Sequence, residues 1–282
     1  MAIPDGLLQG IERLDPLPVT VRRLIDTLHD ERVGPADVAD LVQYDPAVAS
    51  SVLRLANTAA YGGWSRIDSL RDAVVRLGLA KVLDIALADY LHRLKMSPGI
   101  YELAENDLWV HSAAASLAVR ALMKERPQAG IPETAAIAAL VHDIGKLVMV
   151  RYLKADVAAI LSLRDRKGIT FVEAERELFG TDHAEVGGAI AERWSFPSEI
   201  REAIACHHQV PLADPSPTLD AVCLANLAAK VVGTGLGAEG MDIRIDERSH
   251  ERLGLDFAGF SRVCLQTLAW LKDVKTSYGL PG

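Results

Sequence analysis

The sequence predicts an all-α protein, and three observations support this fold class. Hydrophobic residues make up 50% of the 282 residues and aromatic residues only 5%, and an alanine- and leucine-rich composition of this kind favours helices over sheets. Helix-start signals recur along the chain, such as Asp45-Pro46 and the capping-box spacing of Thr170 and Glu173. No stretch of convincing length alternates apolar and polar residues as a strand does.

The first half of the sequence predicts a bundle of short helices. Residues 14–18 form a proline-punctuated lead-in. Pro35 and Pro46 stand in first helical turns, where the missing proline N–H would have no helical partner anyway. Gly78 is placed to close one helix before the next begins. The predicted helices cover residues 19–28, 35–44, 46–60, 70–77 and 80–95, with a loop at 61–64 and a break at 97–99.

The second half predicts further helices joined by proline- and glycine-containing loops. Asp182 and Glu185 repeat the spacing of Thr170 and Glu173. The predicted helices cover residues 101–124, 133–152, 156–167, 170–179, 182–194, 198–208, 220–232 and 257–274, with loops or connections at 126–132, 209–218 and 233–247. The glycine-rich segment 233–240 follows a helix and lacks GKS or GKT, which favours a flexible loop over a phosphate loop.

Composition and charge restrict the compartment and the classes of partner. The chain carries 30 Lys+Arg against 38 Asp+Glu, a net charge of −8, so it has no general electrostatic attraction for nucleic acid or an anionic membrane. Cys206, Cys223 and Cys264 form no CxxC pair, which argues against a disulfide framework. The N-terminus lacks a signal-peptide pattern, and no apolar run is long enough to span a bilayer. These features predict a soluble, cytoplasmic protein with neither membrane nor nucleic acid as its partner.

The segment 135–150 is central to the functional prediction. At about 100° per residue, one side of a helix here carries Ile137, Leu140, Val141, Ile144, Leu147 and Val148. The opposite side carries Ala138, Ala139, His142, Asp143 and Lys146. A solvated face would hold more Glu, Lys and Gln, so we expect this helix to be covered on both sides. His142 and Asp143 are then either a buried hydrogen-bonded pair or two ligands of a metal ion.

Histidines on neighbouring predicted helices favour the metal alternative. His111, His142, His183, His207 and His208 lie, with Asp143, on different helices of the second half apart from the adjacent pairs. Helices that each direct an imidazole inward can hold a metal in a bundle core, and histidine with carboxylate suits iron, manganese or zinc. A structural role stays open as well, because His207 and His208 can complement a helix C-terminus and His183 can be a surface residue.

Several segments resemble the HD superfamily, and more specifically its HDOD (HD-related output) domain. The HD-like segments are VHDIGKLVM (141–149), DHAEVGGAIAERWSFP (182–197) and AIACHH (203–208). The HDOD-like segments are LDPLPVTVRRLI (14–25), QYDPAVASSVLRLANTAAYG (43–62) and DSLRDAVVRLGLAKV (68–82). The resemblance runs from about residue 12 to 232. It implies an N-terminal helical bundle lobe (12–97) packed on an HD-like helical lobe (98–232), followed by a connection and an amphipathic helix (233–282).

The resemblance implies roles for the clustered residues and shows two departures from the catalytic pattern. By comparison with HD-GYP phosphodiesterases, the implied metal ligands are His111, His142, Asp143, His183, His207 and His208, and Lys146 is implied to contact a substrate phosphate. HD enzymes end their ligand set with an aspartate, where this chain has Asn226. The GYP motif is also missing after His208, where the chain continues QVPLADPSP.

These departures favour a regulatory protein over an enzyme. We expect an HDOD signalling protein that acts mainly through protein partners and retains a metal site for Fe, Mn or Zn, with Ni as a further candidate. The alternative is a metal-dependent phosphohydrolase or phosphodiesterase, and a third is a protein that binds a nucleotide or cyclic dinucleotide without turnover. The stripe Leu265, Leu268 and Leu271 predicts a terminal helix that packs on the body, with a partner surface as the alternative.

Overall fold

Helices form all the regular secondary structure in the part of the chain that the structure describes. This computed structural model describes residues 3–28, 30, 32–58, 66–94, 101–153, 157–209, 215–235, 237–240 and 247–281. These ranges hold fifteen helices and no strand, which confirms the predicted all-α class. Within them, no helix is both long enough and apolar enough to cross a bilayer.

Most of the helices follow the predicted order, with shifts at their ends, while the short helix Glu247–Arg252 has no counterpart in the prediction. The first eight are α1 (Asp5–Glu12), α2 (Val19–Asp26), α3 (Pro35–Val42), α4 (Pro46–Ala56), α5 (Leu70–Arg93), α6 (Asp107–Glu125), α7 (Ala135–Val141) and α8 (Gly145–Tyr152). The others are α9 (Val157–Lys167), α10 (Phe171–Phe179), α11 (His183–Arg193), α12 (Ser198–Cys206), α13 (Pro217–Val231), α14 (Glu247–Arg252) and α15 (Phe257–Ser277). The predicted helix from 101 begins only at 107, and the one predicted from 220 begins at 217.

The N-terminal helices pack around α5. Helices α2, α3 and α4 each contact α5, and Leu24, Val42 and Val52 are fully buried among them. Gly78 interrupts α5 with φ 76° and ψ 165°, a conformation that glycine adopts without a steric penalty. The break predicted at Gly78 is therefore present, although helix continues on both sides of it.

Helices α6 and α7 are buried on nearly all sides. Every residue from 111 to 122 and from 135 to 149 is buried, and α6 packs against α7, α13 and α15. Small alanines such as Ala114, Ala118 and Ala138 occupy these interfaces and let the helix axes approach closely. The expectation that the His142 segment is covered on both sides is confirmed.

Helix α1 is absent from the sequence-based prediction, which has no helix before residue 19. It packs against α8 and α11, with Leu7 and Ile11 buried. A Cβ added to Gly10 would lie 2.5 Å from the ring of Tyr152, so glycine is what allows this close contact. Because Gly6 and Gly10 lower the helical propensity, the tertiary contact stabilises a helix that local sequence does not predict.

The C-terminal helix α15 packs on α6 and α4 with one face and exposes the other. Leu271 is buried, as expected for a helix that covers the body. Leu265 and Leu268 are 68% and 51% exposed. Only part of the predicted stripe therefore packs on the molecule.

Some predictions fall outside the described residues. These are the predicted helix ends at 59–60 and 95, the helix start at 156, the loop at 61–64, the break at 97–99, residues 210–214 of the loop 209–218, and residues 236 and 241–246 of the connection 233–247. The boundary between 97 and 98 lies there too. The division into 12–97, 98–232 and 233–282 stays a prediction.

Candidate metal centre

A tight turn joins α7 to α8 and carries His142 and Asp143. The backbone N–H groups of Ile144, Lys146 and Leu147 donate to carbonyl oxygens three residues earlier, at 3.0, 3.0 and 3.2 Å. An α-helix would use carbonyls four residues earlier, so the turn is of the tighter 3₁₀ type. The predicted uninterrupted helix 133–152 is therefore wrong here. His142 and Asp143 are 0% and 2% exposed, so the turn directs both side chains into the molecule.

Gly145 lets α8 lie directly against α11. An added Cβ would lie 2.0 Å from the carbonyl oxygen of His183 and 2.7 Å from the backbone nitrogen of Gly187. Only a residue without a side chain fits this space. The close contact brings His183, the first residue of α11, beside Asp143, with 3.3 Å between His183 Nε2 and Asp143 Oδ1.

Three histidines have their ring orientation fixed by a hydrogen bond at Nδ1. In His142 and His207 this atom lies 2.7 Å from the carbonyl oxygen of the residue three positions earlier. In His183 it lies 2.8 Å from Glu175 Oε2. A carbonyl or carboxylate accepts from N–H, so in the neutral form of each ring the Nε2 lone pair is free for another partner such as a metal ion. Metal-binding histidines are held in the same way.

The centre contains buried polar atoms that lack a hydrogen-bond partner among the described residues. These atoms are His142 Nε2, His207 Nε2 and Asp143 Oδ1. The two nitrogens lie 3.5 and 3.7 Å from the Asp143 carboxylate. Burying such atoms without partners costs free energy, and cations bound on either side of the Asp143 carboxylate would supply the missing partners. Imidazole nitrogen with carboxylate oxygen is also a donor set that transition metals accept, so the residues present fit a metal ion.

All six sequence-predicted ligands come together in two groups that share Asp143. Within each group, the potential ligand atoms lie within 4.8 Å of one another. The first group is Asp143, His183, His207 and His208, and the second is His111, His142 and Asp143. A carboxylate has two oxygens, so Asp143 could contact two ions at once.

His111 approaches the centre from α6. Its Nε2 lies 3.1 Å from Asn226 Oδ1 and 3.6 Å from Asp143 Oδ2, while its Nδ1 lies 3.3 Å from both oxygens of Thr234. Burial lowers the pKa of His111 to about 4, so the ring is neutral at pH 7. Asn226 thus occupies a place in the centre, but it contributes an uncharged amide.

The phenol of Tyr101 and the carboxylate of Glu175 form a hydrogen-bonded chain that ends at His183 Nδ1. Tyr101 donates to Glu175 Oε1 at 2.5 Å, and Glu175 accepts from His183 through its other oxygen. Burial would lower the pKa of His183, but the charge of Glu175 and the hydrogen bond to it raise that pKa to about 10. Its Nε2 lies 3.0 Å from His208 Nε2, and burial beside other histidines holds the pKa of His208 well below its usual value.

Lys146 lies between two carboxylates. Its Nζ is 2.7 Å from Asp143 Oδ2 and 2.6 Å from Glu239 Oε2, and Lys230 contacts the other oxygen of Glu239 at 2.8 Å. Burial would raise the pKa of Asp143, but His142 and Lys146 beside it hold that pKa well below its usual value. The lysine that the resemblance assigns to phosphate is thus paired with carboxylates of its own chain.

The residues that contact the candidate ligands from outside were not predicted from the sequence, and the alternative role offered for His183 was wrong. The surface role for His183 is wrong, since its side chain is fully buried. The missed residues are Tyr101, Glu175, Lys230, Thr234 and Glu239. Glu175 had a detectable signal, because it lies on the apolar face of α10 with Phe171 and Val172, where an acid needs a partner. No pattern marks Glu239 in the glycine-rich segment.

We expect Glu175→Gln to weaken metal binding about 10- to 100-fold, the range observed for partners of metal-binding histidines. The amide no longer holds His183 through a charge-assisted bond to Nδ1. Affinity is measured by competition with a chelating dye. Glu173→Gln on the same helix is the matched control, since Glu173 caps α10 at its exposed start and should leave affinity unchanged. Equal affinities for Glu175→Gln and the parent protein would refute the orienting role.

The chain matches a protein-family model and is similar to solved structures. A family model described as the HDOD domain matches residues 14–210, within the predicted span of about 12 to 232. The crystal structure of an HDOD domain protein of unknown function from Geobacter sulfurreducens is similar to this chain, with a TM-score of 0.70 and 26% identity. That similarity covers 96% of this chain and 92% of the other.

Two other solved structures share the fold. One, from Marinobacter aquaeolei, is provisionally described as a signal transduction protein; its TM-score is 0.73 at 23% identity, covering 98% of this chain and 64% of that one. One from Shewanella amazonensis is provisionally described as a metal-dependent phosphohydrolase; its TM-score is 0.60 at 22% identity, covering 94% and 96%. An uncharacterized Treponema pallidum protein is 22% identical over 224 residues, which is 78% of this chain and 43% of that protein's length.

Proposed function

Because this chain is a member of the HDOD domain family, we propose that it is a cytoplasmic signal-transduction protein that acts through contacts with other proteins and retains a metal site around Asp143. The family assignment supports the signalling role, as does the fold shared with the Marinobacter aquaeolei protein. The net charge of −8 favours protein partners over nucleic acid or an anionic membrane.

One observation carries the metal site: the buried atoms His142 Nε2, His207 Nε2 and Asp143 Oδ1 lack hydrogen-bond partners in the described part of the chain, and both nitrogens lie within 3.7 Å of the Asp143 carboxylate. His183 and His208 would complete the first group around Asp143, and His111 the second. The nitrogen and carboxylate donors favour Fe, Mn or Zn, with Ni as a further candidate. An ion in the first group would supply a positive charge that links the α7–α8 turn to α11 and the end of α12, and a Lewis acid beside the Asp143 carboxylate.

The surroundings of Lys146 favour a regulatory centre over a hydrolytic one. A lysine that binds substrate phosphate needs an available ammonium group, whereas Lys146 is 4% exposed and contacts Glu239 and Asp143. Asn226 supplies an uncharged amide beside His111, so the centre has fewer negative charges to hold a second cation. Both features weaken the case for phosphate-ester turnover.

A metal-dependent phosphohydrolase is the second candidate, and the sharing of Asp143 between two donor groups favours it. Two neighbouring metal ions can activate water and stabilise the leaving oxygen of a phosphate ester. In that function, His111, His142, Asp143, His183, His207 and His208 would hold metal, and Lys146 would orient the phosphate once Glu239 withdrew. The Shewanella amazonensis protein with the same fold carries a description of this kind.

Metal analysis and turnover assays distinguish the two candidates. We expect the purified protein to contain Fe, Mn, Zn or Ni and to hydrolyse neither cyclic dinucleotides nor nucleotide phosphates when Mn, Fe or Mg is supplied. Turnover that His142→Ala abolishes would establish the phosphohydrolase instead. Calorimetric binding of a nucleotide without turnover, again lost in His142→Ala, would indicate a sensor. His250→Ala is the matched control, because His250 lies on α14 and contacts the Leu255 carbonyl rather than the centre.

Crosslinking in the native cells, followed by mass spectrometry, tests the protein-contact part of the proposal. We expect crosslinks to a protein of a signalling pathway, recovered reproducibly with the full chain. Crosslinks only within the chain would contradict a function through protein contacts.

A further inference from the structure

The glycine-rich segment after α13 packs on the candidate centre. Ala238 donates its backbone N–H to the Tyr101 carbonyl at 2.8 Å. A Cβ added to Gly237 would lie 2.0 Å from that same carbonyl oxygen, and one added to Gly235 would lie 2.7 Å from His111 Nδ1. Glycine at these positions lets the backbone reach the centre. The segment thereby delivers the side chain of Glu239, which is 4% exposed.

Glu239 bridges two buried lysines. One of its oxygens lies 2.6 Å from Lys146 Nζ and the other 2.8 Å from Lys230 Nζ. Both lysines are nearly inaccessible, at 4% and 6% exposure. With Asp143, which contacts Lys146 at 2.7 Å, the four side chains carry two positive and two negative charges. The group is neutral because Glu239 is in place.

Two ammonium groups that share one carboxylate are suited to other small oxyanions. Lysine binds phosphate as a point charge, and a tetrahedral oxyanion offers acceptors to both ammonium groups. Removing the Glu239 carboxylate would leave two buried cations facing the single charge of Asp143, which is strongly unfavourable unless another anion enters.

We propose that Lys230 joins Lys146, the lysine that the resemblance assigns to phosphate, in a binding site for phosphate-type oxyanions, and that Glu239 of the same chain occupies this site as an internal competitor. The site requires no metal ion, so it does not depend on the metal centre of the proposed function. Glu239 makes the protein a weak binder of free phosphate, and displacement of its carboxylate makes the lysine pair available.

Calorimetric titration of the full chain with inorganic phosphate tests this proposal. We expect Glu239→Gln to bind phosphate at least about tenfold more tightly than the parent protein, a difference of about 1.4 kcal/mol. Adding Lys230→Met to Glu239→Gln should reverse the gain. The matched control is Asp220→Asn, because Asp220 is an equally buried acid on α13 that pairs with Arg252 outside this site; its affinity should equal that of the parent.

Two outcomes would overturn the proposal. The first is equal phosphate affinity in Glu239→Gln and the parent protein. The second is a gain that disappears after dialysis against a chelator, since phosphate would then be bound to metal rather than to lysine. Metal content is measured in every titrated sample.

Thermal unfolding tests the proposal even if Glu239→Gln folds poorly. Ligand binding stabilises the folded state by RT ln(1 + L/Kd), where L is the ligand concentration, so phosphate should raise the melting temperature of Glu239→Gln more than chloride at equal ionic strength. If that variant does not fold in either salt, Glu239→Asp replaces it. The shorter carboxylate should reach the lysines less well, so tighter phosphate binding than in the parent is expected, and unchanged binding would contradict the proposal.

Discussion

Asp143→Asn is expected to remove metal from both donor groups at once. Asp143 is the one residue common to the two groups, and asparagine keeps its size but loses the charge that neutralises a cation. Replacing an outer partner of a metal ligand typically costs 10- to 100-fold in affinity, so we expect the loss of this shared ligand to exceed about 100-fold. Elemental analysis after gel filtration, combined with dye competition, measures both the stoichiometry and the affinity.

Asp84→Asn is the control for this experiment. Asp84 is also buried, at 3% exposure, but it accepts from Ser116 and pairs with Arg120 between α5 and α6. Its substitution should lower stability and leave the metal stoichiometry unchanged. A metal content in Asp143→Asn equal to that of the parent protein would exclude Asp143 as a ligand.

Gly145→Ala is expected to lower the free energy of unfolding by about 3 kcal/mol, the upper part of the range for overpacked sites. The new Cβ would lie 2.0 Å from the His183 carbonyl oxygen and 2.7 Å from the Gly187 nitrogen. Both are backbone atoms, so no side chain can rotate away, and α8 must move from α11. Because His183 starts α11 and Asp143 precedes α8, the same movement should weaken metal binding.

Chemical denaturation measures the stability change, since a lower midpoint at an unchanged slope reports lost stability. Gly6→Ala is the matched control. A Cβ at Gly6 would meet nothing within 4 Å, and alanine is the better helix former, so stability should stay equal or rise slightly. If Gly145→Ala unfolded at the same denaturant concentration as the parent, the close contact between α8 and α11 would not be needed.

The HD segment illustrates what the sequence could and could not predict. The near absence of polar residues from the second face predicted burial on both sides, and residues 135–149 are indeed all buried. The prediction of one continuous helix was wrong. A 100° periodicity of apolar residues over this length does not show that three backbone N–H groups form 3₁₀ rather than α-helical hydrogen bonds. Ile144, Lys146 and Leu147 bond to carbonyls three residues earlier, and this local choice depends on the packing of α8 against α11.

The other site residues that the sequence did not reveal depend on contacts between distant parts of the chain. Glu175 reaches His183 and Tyr101 only after α10 and α11 have packed, so spacing along the chain could not reveal it as a partner. Glu239 reaches Lys146 from a segment whose glycines predicted a flexible loop. The ligand candidates themselves were recognisable because their histidines recur at predicted helix positions and most of them lie in segments that resemble the HD superfamily.

The centre draws on more of the chain than the family match contains. That match ends at residue 210, whereas Asn226, Lys230 and Glu239 all face the centre from beyond it. Two proteins could therefore share every matched segment and still differ in the charge that surrounds Asp143. The matched range contains Asp143 and all five histidines of the centre, while part of the charge around them comes from a stretch that the match does not include.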